Sequence, residues 1–263
     1  IWTPDSVVNR DPVLKAAAKL IQPSGMCPYV PGYAYNAMIF PVTPFSIAGA
    51  IWYQGENNTE AAATYKLLFT SMIESWRSAW QHNFPFYYVQ IAPFRYRKVN
   101  TGALLREAQL QSTDHPNTGM VVTTDLTSDV NDVHPQNKHD VGLRLANWAL
   151  AATYGLPGIR YKSPLYKRME LKKNKILIYT DAQNGLKLEG DKVKSLVIAG
   201  EDGVFYAAEC SIKANIILVW SKEVSRPAAV RYSFSDTAIG NLFSNEGLPL
   251  APFRTDNWVV PIL

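Results

Sequence analysis

The chain has 263 residues, 47% of them hydrophobic and 18% charged, which excludes a disordered polymer and leaves room for one large domain or two unequal ones. Its 26 basic and 22 acidic residues are scattered to a net charge of +4, and the densest basic cluster, Lys172, Lys173 and Lys175, is a short solvated turn rather than a nucleic-acid surface. Two cysteines, Cys27 and Cys210, lack metal-site spacing and either form one bridge or stay free, the free thiols being favoured, while the longest apolar stretches, such as 45–53, are too short to cross a bilayer.

The opening Ile1-Trp2-Thr3-Pro4 has the character of the middle of a loop or a helix cap, so a truncated or processed product is expected, its export signal gone and its location periplasmic or secreted. Residues 47–53 (IAGAIWY) form a short apolar run between Pro44 and Gly55, which suits a buried parallel strand. A helix should follow over 59–80. Tyr65, Leu68, Met72, Ile73, Trp76 and Trp80 recur there at spacings of three and four, with Thr59 as N-cap, and their aromatic rings belong to the core. Residues 86–91 (FYYVQI) read as a second strand, 103–112 as a helix and 120–124 (MVVTT) as a third strand. Strand, helix, strand, helix, strand is the signature of an open parallel sheet.

A polar loop over 125–135 then leads into a helix expected over 136–153, ending at Gly155. Beyond Pro157 the helical period vanishes. Short β-rich runs at 175–179, 195–198, 216–220 and 229–234 alternate with turns such as Asn184-Gly185 and Glu201-Asp202-Gly203. The expected organisation is therefore a partial α/β domain over 1–158 and a β-rich, sandwich-like domain over 159–263. No phosphate-binding glycine loop, metal-binding helix motif or internal repeat is present in the sequence, so no cofactor or metal is expected.

Ligands of an open α/β sheet gather outside the carboxyl ends of its strands, which directs attention to the loops after 47–53 and 120–124. The first reads Gln54-Gly55-Glu56-Asn57-Asn58, side-chain amides around a glycine whose N–H groups suit an oxyanion hole; its plainer reading is a polar turn. The second runs from Asp125 to Pro135 and sets His134 close to Asp132 and Asp129. An imidazole titrates near neutral pH and a neighbouring carboxylate fixes its tautomer, so Asp132 and His134 have the makings of a general base and its orienting acid. The competing reading is an acidic N-cap region ahead of the next helix.

Trp52-Tyr53-Gln54-Gly55-Glu56-Asn57-Asn58-Thr59 resembles the third signature block of the SGNH hydrolases in the form taken by sialate O-acetylesterases, and Asn131-Asp132-Val133-His134-Pro135 resembles their last block. Order and spacing agree. Further similarity runs through Tyr35-Asn36-Ala37-Met38-Ile39, Pro41-Val42-Thr43-Pro44, Leu105-Arg106-Glu107-Ala108-Gln109, Gly247-Leu248-Pro249 and Pro252-Phe253-Arg254-Thr255-Asp256. The resemblance implies an SGNH-hydrolase-like parallel sheet flanked by helices and a two-step acyl transfer. His134 then takes the histidine role, with Asp132 as acid, although the wider superfamily places that acid three positions before the histidine, where Asn131 stands, which leaves open a serine–histidine dyad with only a backbone partner. For the oxyanion hole the resemblance leaves Gln54 and Asn57 open beside Gly55 and favours Gln54; Glu56 braces the loop. Asn57-Asn58-Thr59 also matches a glycosylation sequon, read as accidental because a glycan there would block the pocket.

The Gly-Gln-Ser-Asn block that carries the serine in this family does not occur in residues 1–263, and no Gly-x-Ser-x-Gly elbow replaces it. Ser6, Ser46 and Ser128 are in no strand-to-helix turn of the required kind. The expected function is a carbohydrate O-acetylesterase, sialic acid first among its substrates and acetylated plant polysaccharide second, whose serine lies outside this chain and which is inactive alone. Its expected partners are an acetylated sugar and a separate serine-bearing segment of the same protein, with no nucleic acid and no membrane. The alternative is a noncatalytic carbohydrate-binding protein.

Overall fold

A computed structural model describes residues 1–21 and 30–263, so Cys27 lies outside the described residues. The chain divides into two compact units, residues 1–90 with 104–120 and residues 91–103 with 121–263.

In the first unit the chain starts with two short helices, α1 (Asp5–Arg10) and α2 (Pro12–Lys19). Sequence reasoning did not anticipate them. Their junction is nevertheless written in Asp11-Pro12: the Asp11 carboxylate accepts from the N–H groups of Val13 at 2.8 Å and Leu14 at 3.2 Å, and proline occupies the first helical position, where no N–H is needed. Strands β1 (Ala50–Trp52), β2 (Phe86–Val89) and β3 (Thr118–Val121) form a three-stranded sheet in that order, with Ala50, Ile51 and Trp52 of β1 in parallel register with Phe86, Tyr87 and Tyr88 of β2. β3 reaches the second unit only at its last residue.

All four residues of β2 are buried, as a central parallel strand covered on both faces requires. β1 differs. Among the described residues it pairs with β2 alone, and Ile51 at its centre is 67% exposed. The long helix α3 (Ala62–Trp80) lays its apolar stripe on the sheet, Phe69 meeting Phe86 and Tyr88 edge-on at 5.7 and 4.9 Å and Trp76 meeting Trp52 at 5.7 Å. The helix begins three residues later than Thr59. Residues Glu56–Ala61 form a 3-10 turn in which the Thr59 hydroxyl donates to the Glu56 carbonyl at 3.0 Å, so it is spent inside the turn and cannot cap α3. Helix α4 (Thr101–Gln111) lies between β2 and β3 in the chain.

In the second unit, helix α5 (Lys138–Trp148) is capped by Asn137, whose side chain accepts from the Asp140 N–H at 3.1 Å, and one π-turn, Ala149–Thr153, extends it. Antiparallel structure follows: β4 (Tyr166–Lys172), β5 (Lys175–Thr180), β6 (Leu186–Leu188), β7 (Leu196–Ala199), β8 (Phe205–Ala207), β9 (Glu209–Lys213), β10 (Ile216–Trp220), β11 (Ala229–Tyr232), β12 (Leu242–Ser244) and β13 (Phe253–Arg254). They make two four-stranded sheets, β4-β5-β10-β9 and β13-β11-β7-β8, and a β12-β6 pair. Alternate residues of both sheets, including Ile176, Ile178, Ile217, Ile198 and Val230, share one core, while their neighbours face outward. Lys172 faces Lys175 across a two-residue turn with Lys173 in the left-handed region, so the basic cluster is a hairpin tip as expected.

A parallel sheet with helices followed by antiparallel β-structure is the fold class expected from the sequence. Among the described residues, no helix is long and apolar enough to cross a membrane. Cys210 is a free, partly buried thiol whose pKa burial raises.

Candidate active site

The first candidate loop leaves β1 at Trp52 and turns at Gly55. Gly55 is buried and adopts φ +155° with ψ −20°, a conformation in which a Cβ would collide with the main chain, so the position demands glycine. The turn brings the Asn58 N–H to the Gly55 carbonyl at 2.8 Å and starts the 3-10 segment. Gln54 is braced on both ends. Its side-chain amide donates to Asn58 Oδ1 at 2.7 Å, and its carbonyl accepts from the Tyr65 hydroxyl and from Gln109 Nε2, each at 3.3 Å.

Gln109 is fully buried and also donates to the Val89 carbonyl at 3.3 Å, so one amide links the exits of β1 and β2. The Tyr88 hydroxyl in turn donates to the Gln109 carbonyl at 2.7 Å, and Gln90 donates to the Arg106 carbonyl at 2.9 Å. The stretch Leu105 to Gln109 therefore fastens α4 beneath the loop; Arg106 is the largest fully buried side chain of the protein's described residues. Sequence reasoning noted this stretch only as a supporting similarity. Its signal was a pair of strongly polar residues, Arg106 and Gln109, three apart on one helix face.

Of the two oxyanion candidates, Gln54 is half-buried and Asn57 exposed. A primary amide carries two N–H donors, so Gln54 can hold Asn58 with one and present the other. Glu56 is half-buried, and burial together with its charge pushes the Tyr53 hydroxyl up to about 12. Gln54, Asn57 and Asn58 line a largely apolar cavity of about 330 Å³ whose wall includes Trp2, Trp52 and Phe69.

The second candidate loop is held differently. At its base the Arg144 guanidinium of α5 grips Asp125 through two bonds of 2.8 and 2.5 Å and also donates to the Val122 carbonyl at 2.7 Å. Both side chains are about one-eighth exposed, 12% and 14%, so this fork is a nearly buried ion pair. Further along, Asp129 accepts from the Asn131 N–H at 2.8 Å and from its side-chain amide at 2.9 Å, and Asp132 accepts from the His134 N–H at 2.8 Å. Both aspartates build turns. Since α5 is capped by Asn137, neither serves as its N-cap.

Asp132 and His134 are thus joined through the histidine's main chain, not its ring, and within its own unit the exposed His134 imidazole makes no hydrogen bond. Asn131, three positions before His134, accepts from Arg95 Nε at 3.0 Å. Gln54, Gly55, Glu56 and Asn57 belong to the first unit, and Asp132 and His134 to the second. The Asp125–Arg144 fork and the Arg95–Asn131 bond escaped sequence reasoning, because neither partner is near the other in the chain.

The model of the family described as carbohydrate esterase, sialic acid-specific acetylesterase matches residues 31–151, a stretch that contains both loops. The sialate O-acetylesterase of Mus musculus is 31% identical over 157 residues, covering 52% of this chain and 29% of the relative. That of Homo sapiens is 30% identical over 164 residues, 55% of this chain and 31% of the relative. The chain therefore spans about three-tenths of the length of these relatives. Among solved structures, a novel carbohydrate acetylesterase from Xanthomonas citri superposes with a TM-score of 0.82 at 37% identity, covering 87% of this chain and 55% of that one. Both candidate loops thus lie inside the stretch that matches this family model, and the fold is shared with a carbohydrate acetylesterase.

Proposed function

We propose that this chain supplies the general base and the oxyanion donors of a carbohydrate O-acetylesterase, and that the nucleophilic serine comes from a segment outside these 263 residues. The observation that carries the reading is the braced Gln54-Gly55 turn after β1, inside a family match that also contains His134. The serine oxygen attacks the acetyl carbonyl while His134 takes its proton; the Gly55 N–H and Gln54 amide hold the developing oxyanion. His134 returns the proton to the departing sugar oxygen, and water then attacks the acetyl-serine with His134 again as base, releasing acetate.

Two features of the first unit support an added segment. β1 has an edge with no partner among the described residues, and Ile51 is exposed where a parallel strand is normally covered on both faces. The three serines singled out from the sequence offer no substitute: Ser6 lies on α1, and Ser46 and Ser128 lie in irregular segments. The test is turnover of p-nitrophenyl acetate and of an O-acetylated sialic acid by the chain alone, by the chain combined with the serine-bearing segment, and by that complex carrying His134→Ala. Turnover is expected only in the complex, with His134→Ala lowering it by at least about 10³-fold on the precedent of catalytic triads. Robust turnover by the chain alone, sensitive to serine reagents, would overturn the assignment.

A further inference from the structure

Five residues after β2 ends at Val89, the loop Phe94-Arg95-Tyr96-Arg97-Lys98 begins and brings a cluster of cations to the second unit. Arg95 among them bonds to the histidine loop. Its N–H donates to the Val130 carbonyl at 2.7 Å and its Nε donates to Asn131 Oδ1 at 3.0 Å. Asn131 is itself fixed by two bonds to Asp129. The side chain is exposed, and no bond occupies its Nη1 or Nη2 groups within the unit.

The loop beneath it is rigidly placed. Buried Asp236 accepts from the Phe94 N–H through its carbonyl at 2.9 Å and from the Ala103 N–H through its carboxylate at 2.9 Å. Tyr96 lies so close to Gly102 that a Cβ there would stand 2.7 Å from its ring, and Val99 and Asn100 bond to the carbonyls of Leu263 and Pro261. A guanidinium oriented through Nε, with its outer fork open and its backbone pinned, is a preorganised receptor for a planar anion.

We propose that Arg95 binds the carboxylate of an acidic sugar while the acetyl ester lies at His134, making it a specificity-determining residue for the reaction; this rests on the esterase reading above. Asn131 and His134 are three positions apart, at most about 10 Å of extended chain, within the compass of one sugar and its side chain. Asp129 and Asp132 keep their charges nearby but bond elsewhere than to the guanidinium, Asp129 to the Asn131 N–H groups and Asp132 to the His134 N–H, so the fork stays open to a ligand. Neutral acetylated sugars have no group to meet the fork, so carboxylate recognition separates acidic from neutral substrates.

The experiment measures kcat/KM in the serine-complemented protein for an O-acetylated sialic acid and for the same sugar with its carboxyl group methyl-esterified. The wild type is expected to prefer the free acid by about 10-fold or more, the range of a charge-assisted hydrogen-bonded pair. Arg95→Gln, which retains an amide able to reach Asn131, is expected to abolish that preference by raising KM for the free acid alone, whereas Arg97→Gln should retain it. A merely structural Arg95 would change both substrates equally, and that result, or equal wild-type turnover of acid and methyl ester, overturns the proposal while leaving the esterase reading intact. Absence of turnover on every acetyl ester would instead sink the esterase reading and the proposal with it.

Discussion

The Gln54 loop and the His134 loop follow β1 and β3 of the same sheet, yet they are held by opposite strategies. The former is braced from below by buried side chains, Tyr65 and Gln109, that bond its main chain and leave little freedom to its donors. The latter is clamped at its root by Arg144 and Asp125 and shaped by self-contained aspartate turns, leaving its imidazole exposed and unbonded within its unit. The contrast matches the two chemical duties proposed. A donor that stabilises developing charge gains most from being fixed in advance, whereas a base that exchanges protons with a nucleophile, a leaving group and water must remain reachable.

If the first loop works by preorganised donation, Gln54→Ala should cut turnover of the serine-complemented protein by about 10² to 10³-fold with little change in KM, the range for losing one oxyanion donor. Steady-state kinetics decide it; an equal loss on Asn57→Ala with Gln54→Ala silent would transfer the role to Asn57.

If the second loop depends on its root, Arg144→Ala should destabilise its unit by about 3 kcal/mol, because it strands the nearly buried Asp125 carboxylate without a partner. Urea unfolding monitored by far-UV circular dichroism measures this. The double variant Arg144→Ala with Asp125→Ala should recover part of the loss.

A smaller effect is expected at Asp132. Asparagine retains an oxygen able to accept from the His134 N–H, so Asp132→Asn should lower turnover clearly less than His134→Ala and less than Asp132→Ala, which removes the turn. Equal losses for Asn and Ala at this position would show that the negative charge itself orients the imidazole.

The mildest prediction concerns the β-rich part, where Asp256 is 2% exposed and held by Arg231 through two bonds of 2.8 Å. Burial alone would raise its pKa, but Arg231 and Arg254 outweigh it and leave it below the usual carboxylate range. Its stabilising contribution is therefore full above about pH 4, the unfolded value, and is lost as pH falls through the lower folded value. Thermal melting followed from neutral to acidic pH should show that decline, and Asp256→Asn should flatten it.

How much of this was legible in the sequence depended on the range over which each residue acts. β2 and the stripe of α3 were readable because burial imposes a local period on the residues themselves: FYYV is apolar throughout, and Tyr65, Met72, Ile73 and Trp76 recur with the helical turn, although Phe69 and not the expected Leu68 is the buried residue between them. The first helices are hard to read although Asp11-Pro12 marks their junction, because at six and eight residues they are too short to display an apolar period. Thr59 misled for a physical reason, since a hydroxyl serves a 3-10 turn as readily as it caps an α-helix. In the candidate site, Gln54, Gly55, Asp132 and His134 were visible as local polar clusters, but the groups that hold them were not. Gln109, Arg144 and Arg95 act over separations of 55, 19 and 36 residues, and no local pattern announces such a partner.

The edge-to-face chain of indoles in the first unit has a practical consequence. Trp2, Trp52 and Trp76 stand 5.5 and 5.7 Å apart at nearly right angles, and Trp52 lies two positions before Gln54 and lines the same cavity. Indoles so close couple electronically, so the trio should act as a built-in optical sensor. A shift in emission or near-ultraviolet dichroism on adding a sugar or the serine-bearing segment would report occupancy of that cavity without any label.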